Sequence, residues 1–167
     1  MTFLMKVTKI IHIINKTISL QQRLNIFAMK HTVETKWNKG FAFEANVGGH
    51  KIAMDADESI GGVDSGARPK QLMLAALAGC TGIDVISILN KMRVEIEDFD
   101  IKVEADVTEE HPKHYDRMNI IYKFRGKDLD REKIQKAIEL SQERYCGVSA
   151  VYKKAMAITY EIVLENS

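Results

Sequence analysis

Cysteine is scarce in this 167-residue chain: there are two, Cys80 and Cys146, 66 positions apart. So few exclude a secreted disulfide scaffold, and the lack of any CxxC pair excludes a zinc-type ligand run. The five histidines are scattered; His111 and His114 stand three apart in a polar stretch around Pro112, with no further ligands beside them. No metal and no cofactor is therefore expected. An excess of charge of one sign is also missing, with 24 Lys and Arg against 23 Asp and Glu and a net charge of +1. That balance argues against a nucleic-acid partner, which requires a basic face to neutralise phosphates. Internal repeats and low-complexity segments are absent. Unpaired thiols persist in a reducing compartment, so the cytoplasm is the expected location.

The first 28 residues lack acidic side chains altogether and carry Lys6, Lys9, Lys16 and Arg23. His12, Asn15 and Lys16 interrupt their apolar run, which excludes the continuous core of a signal peptide and falls far short of a membrane span. Leu4, Val7, Ile11, Ile14 and Ile18 share one helical face. This segment reads as an extension, either a non-native start with Met29 as the natural beginning or a short amphipathic helix. No firm membrane association is expected, and residues 29–167 read as one domain.

What the chain does contain is strong patterning. "HTVETKW", "FAFEANV" and "HKIAMDA" read as three strands joined by tight turns at "NKG" and "GG". "DESIGGVDSGA" is loop by composition, and Pro69 suits the first turn of a helix. From there to Arg93, apolar residues cover nearly the whole helical circumference, as in a core helix. Ala75, Ala76, Ala78, Gly79 and Gly82 would let another backbone approach closely, including a second copy of the same helix. "FDIKVEADV" and "RMNIIYKFRG" are strands around a polar loop, Asp130 caps the helix "REKIQKAIELSQERYC", and "MAITYEIVLE" is a last strand. The fold class is α+β, in the order β-β-β-α-β-β-α-β with a central buried helix.

Taken alone, Cys80 in "AALAGCTGI" reads as a small buried hydrophobe and Cys146 as an inert thiol at a helix end. Each, however, has a glycine neighbour, which leaves room for a small substrate. If "GVSAVYKKA" opens a short helix, its free N–H groups favour the Cys146 thiolate.

Three features, "RPKQLMLAALAGC", the cysteine inside the core helix and "YCGVS", resemble the OsmC/Ohr family of osmotically inducible and organic hydroperoxide resistance proteins. "GCTGIDVISIL" and "LSQERYCGV" are similar to its YhfA-like branch. The resemblance runs from about Lys30 to Asn166 and implies an OsmC-like fold in an intertwined homodimer, with active sites at the subunit interface. It implies that Cys80 attacks an organic hydroperoxide, that Cys146 closes a disulfide on the resulting sulfenic acid, and that an external dithiol reductant restores both thiols.

The pattern also departs from the family. Where organic hydroperoxide resistance proteins carry a glutamate ten residues before the first cysteine, this chain has Lys70. Lys70, Gln71, Arg68 and Lys39 are candidate supporting residues, although each also reads as a solvated turn or helix-start residue. A lysine lacks the planar fork with which arginine holds two partners at once. Two other readings remain beside the peroxidase: a non-catalytic dimer that binds a small hydrophobic ligand, and a redox sensor.

Overall fold

The computed structural model describes residues 30–167, so the helix expected within residues 1–28 lies outside the described residues. Two three-stranded sheets flank one long helix in the sequence. The first sheet contains β1 (Glu34–Trp37), β2 (Phe43–Val47) and β3 (His50–Met54), all antiparallel. A 3₁₀ turn at Glu58–Ile60 follows, and then α1 (Pro69–Lys91). The second sheet orders β4 (Asp98–Val107), β5 (Tyr115–Gly126) and β6 (Ala157–Asn166). β4 and β5 pair antiparallel, whereas β5 and β6 are parallel. A parallel pair needs a crossover, supplied by α2 (Arg131–Leu140), a π turn (Ser141–Tyr145) and α3 (Gly147–Tyr152). The arrangement is the α+β order expected from the sequence, with the short helix α3 in addition.

Local chemistry accounts for these elements. Strict alternation in β4 and β5 puts Phe99, Ile101 and Val103 on the same side as Met118, Ile120, Tyr122 and Phe124. Phe99 and Phe124 stack at 4.4 Å between ring centroids. α1 packs on β4, α2 and α3 through Leu77, Thr81, Val85, Ile88 and Leu89. Burying each of the large apolar side chains contributes about 1.5–3 kcal/mol before entropy is counted. Gly82 permits the close approach to β4, since a Cβ there would lie 2.8 Å from Ile101 Cδ1. Asp130 caps α2, its carboxylate accepting from the Lys133 amide at 3.1 Å.

The continuous helix expected over 131–146 is interrupted. After Leu140 the chain widens into the π turn, and the Cys146 amide donates to Ser141 O at 2.8 Å. The wider turn aims both Ser141 and Gln142 into the interior, where they are buried. Single π turns inside helices are frequent at functional sites.

Among the described residues only one face of α1 is covered. Ala75, Ala76 and Gly79 are exposed on the other, and Ile83 is 74% exposed. A Cβ on Gly79 would meet nothing within 4 Å. The first sheet likewise leaves Trp37, Phe41 and Phe43 exposed and packs extensively on no helix or strand of the second layer. α1 is long and apolar enough to cross a membrane by length and composition, and one face of it packs on β4, α2 and α3.

Candidate active site

Cys80 lies midway along α1, with Thr81 beside it and Asp84 one turn further on. Cys146 occupies the residue between the π turn and α3 and is 2% exposed. The fold unites them: the Cys80 and Cys146 sulfurs and an Asp84 carboxylate oxygen all lie within 4.8 Å of one another. Both cysteines are free thiols. A disulfide needs Cα atoms within about 7 Å and sulfurs at about 2 Å, so only a short local movement separates this pair from bonding.

A buried polar chain sets this geometry. Gln142 Nε2 donates to Tyr122 OH at 2.8 Å; Tyr122 OH and Thr81 Oγ1 are 2.6 Å apart; Thr81 Oγ1 and Ser141 Oγ are 2.9 Å apart. Ser141 Oγ donates to Asp84 Oδ2 at 3.2 Å. An amide nitrogen only donates and an ionised carboxylate only accepts, so the hydroxyls between them have one consistent direction. Tyr122 donates to Thr81, Thr81 to Ser141, and Ser141 to Asp84. Chains of this kind strengthen each member by polarisation. They tie β5, α1 and the π turn together and thereby hold Cys146 against Cys80. Burial pushes the Tyr122 hydroxyl pKa upward, which keeps it a neutral donor.

The Cys146 sulfur also faces a backbone amide: the Ser149 N–H donates to Cys146 Sγ at 3.3 Å. For Cys80 the balance is nonetheless adverse to the thiolate. Desolvation raises its pKa most; the Val148 amide lowers it; Cys146 and Asp84 raise it further. Asp84 enters no salt bridge among the described residues. Asp84 also lines a cavity of about 300 Å³ with Ile88, Lys91, Met92, Leu140 and Tyr145, in which neither cysteine takes part.

The supporting residues expected from the sequence lie elsewhere in the single chain. Lys70 is exposed, ten residues before Cys80 and so about 15 Å away along the helix axis, and its ammonium donates to Lys113 O at 3.2 Å. Gln71 is exposed on the first turn of α1. Arg68 pairs with Asp64 at 2.7 Å and Asp57 at 3.5 Å and donates to Gly66 O, which braces the loop before the helix. Lys39 occupies the β1–β2 turn with a positive φ of 73°. Of the apolar side chains near the site, Leu77 is wholly buried, Val148 half-buried and Ile83 exposed. Asp84 was not among the residues expected; its signal was being the sole acidic residue of α1, four positions after Cys80.

The family profile described as OsmC-like protein matches residues 62–161. Protein YhfA of Escherichia coli K12 is 35% identical over 131 residues, covering 77% of this chain and 95% of that protein. A hypothetical protein from Aquifex aeolicus has a similar structure, with a TM-score of 0.75, 26% identity and coverage of 84% of this chain and 99% of that one. The organic hydroperoxide resistance protein OhrB of Bacillus subtilis superposes with a TM-score of 0.58 at 21% identity, covering 80% and 98% of the two chains, a likeness of fold.

Proposed function

The chain belongs to the OsmC-like protein family, and from that premise we propose that it is a thiol-dependent, peroxidase-like reductase of organic hydroperoxides. The observation that carries this reading is the meeting of two free thiols, 66 positions apart in sequence, within 4.8 Å. The family and its hydroperoxide-resistance neighbours support a redox role connected with peroxides.

In the proposed cycle the Cys80 thiolate attacks one peroxide oxygen and the O–O bond breaks. The alcohol leaves with a proton, and Cys80 becomes a sulfenic acid. Cys146 displaces its hydroxyl as water and forms a disulfide. An external dithiol then reduces that bond, leaving two thiols and an oxidised reductant. The Val148 amide assists the first step, whereas Asp84 and burial slow it by disfavouring the thiolate. That opposition favours one alternative specifically: a redox sensor that reacts once and changes shape, rather than a fast catalyst.

Proteins of this family are typically homodimers. The exposed face of α1 and the unpartnered apolar side of the first sheet support a homodimer here. Free thiols in a soluble fold suit the cytoplasm.

The test is turnover. Reduced protein with cumene hydroperoxide and a dithiol should consume peroxide, and Cys80→Ser should abolish the consumption. Mass spectrometry after one equivalent of peroxide should show a Cys80–Cys146 disulfide. One stoichiometric oxidation without sustained turnover selects the sensor; no thiol oxidation at all rejects both readings.

A further inference from the structure

Two thiols and a carboxylate converge at one point, and among the described residues the carboxylate enters no salt bridge; that arrangement has a chemistry of its own. Cys80, Asp84 and Cys146 each offer one donor atom, and the three atoms lie within 4.8 Å of one another. Two zinc-bound thiolates sit about 3.8 Å apart when each Zn–S bond is about 2.3 Å at tetrahedral angles. Contraction by about an ångström brings the two sulfurs to that separation. We propose that, in the fully reduced protein, Cys80, Asp84 and Cys146 form a three-ligand site for Zn²⁺, with water or an incoming thiol in the fourth position.

A second, independent observation supports it. Two of the three donors already have an outer partner: the Ser149 N–H for Cys146 at 3.3 Å and the Ser141 hydroxyl for Asp84 at 3.2 Å. Outer-shell bonds of this kind orient metal ligands and spread their negative charge. The Ser141 hydroxyl is itself the end of the buried chain from Tyr122 and Thr81, so the carboxylate is held on the sulfur side of α1. Ionising two thiols beside a carboxylate in a half-buried pocket is unfavourable, and a dication that displaces the two protons offsets that cost. The softness of the set also suits zinc: sulfur ligands disfavour Mg²⁺ and Ca²⁺, which take oxygen.

The balance is simple. Two thiols release two protons as one Zn²⁺ binds, and no electrons move. A disulfide between Cys80 and Cys146 removes two of the three ligands, so metal binding and oxidation exclude each other. The same thiol pair serves the proposed redox reaction, but the metal site does not depend on peroxide turnover.

Cobalt substitution provides the test. Reduced full-length chain titrated anaerobically with Co²⁺ should develop thiolate-to-cobalt bands in the near ultraviolet and intense visible bands of a tetrahedral site. These should saturate at one Co²⁺ per chain and disappear on adding Zn²⁺. Cys80→Ser, Cys146→Ser and the pre-oxidised disulfide form should each lose them. Asp84→Asn should weaken binding by about tenfold or more, and Ser141→Ala, an outer-shell change, by about 10–100-fold. Circular dichroism confirms that each variant is folded. In the unaltered protein, Zn²⁺ should slow alkylation of the thiols and a chelator should restore it. No tetrahedral spectrum and no protection in the reduced wild-type chain overturn the site, as does Asp84→Asn binding Co²⁺ unchanged. Cobalt binding without any peroxide-driven disulfide would instead leave the metal site standing and remove the peroxidase.

Discussion

The two sheets of this protein have similar strand counts and opposite circumstances. β4–β6 carries its own cover: α1, α2 and α3 lie on one face, and Met118, Ile120, Tyr122 and Phe124 are each no more than 1% exposed. β1–β3 has no such cover, and Trp37 is 60% exposed. The loop between them is held mainly by polar bonds. Asp55 accepts from the Ala56, Val63 and Ser65 amides and from Ser65 Oγ, while Arg68 bridges Asp57 and Asp64. The difference teaches that apolar patterning alone does not say which chain will bury a surface. The second layer is covered by its own helices; the first sheet and the outer face of α1 are left open by the described residues.

The largest expected effect tests the self-sufficient layer. Phe124→Ala should cost about 3–5 kcal/mol in urea unfolding, because it opens a cavity under the stacked Phe99 ring. A loss below about 1 kcal/mol would show that the layer repacks freely. Ile83→Glu tests the other side. A charge on that exposed apolar face should convert the proposed dimer to monomer in analytical ultracentrifugation while leaving secondary structure intact. An unchanged dimer would move the interface away from α1.

A smaller effect is expected from Tyr122→Phe. It leaves the Gln142 amide and the Thr81 hydroxyl short of a partner and should cost about 1–3 kcal/mol. It should also slow disulfide closure between Cys80 and Cys146, read by quenched-flow mass spectrometry, since the chain that positions the π turn is broken.

The smallest effects are in titration. The Ser65 and Val63 amides and the Ser65 hydroxyl hold the Asp55 carboxyl at about 2, below its ordinary 3.8. A depressed carboxylate stabilises above its ordinary value and loses that contribution as pH falls through the folded one. Hydrogen exchange in residues 55–65 should therefore quicken between about pH 4 and pH 2. Asp55→Asn should show rapid exchange already at neutral pH. For Cys80 the sign is reversed. Burial first, then Cys146 and Asp84, raise its pKa, so its alkylation should gain speed only above the ordinary thiol range. Asp84→Asn should move that profile modestly downward, because the larger cause, burial, remains.

Much of the architecture was legible before any coordinates. Alternation in β4 and β5, Pro69 at the start of α1 and Asp130 as the cap of α2 are short-range signals, and each stands where the sequence placed it. The interruption of the second helix at Ser141 was not legible, because one widened turn is too short for its change of period to show in the apolar pattern. Asp84 was overlooked for a related reason. One acid in an apolar helix looks like a solvated residue until something across the fold, here Ser141 and two sulfurs, approaches it. Lys70, Gln71, Arg68 and Lys39 carry suitable charge or polarity, but in the single chain their surroundings are turns, loop braces and solvent.

The sequence by itself determined the order and kind of the elements, since backbone preference and apolar period act over a few residues. It also determined that any redox pair must be Cys80 with Cys146, there being no others. Only the tertiary structure decided that the two sulfurs share one pocket with a carboxylate, and that half of α1 stays uncovered. Both depend on contacts between segments tens of residues apart, whose energies no local pattern contains.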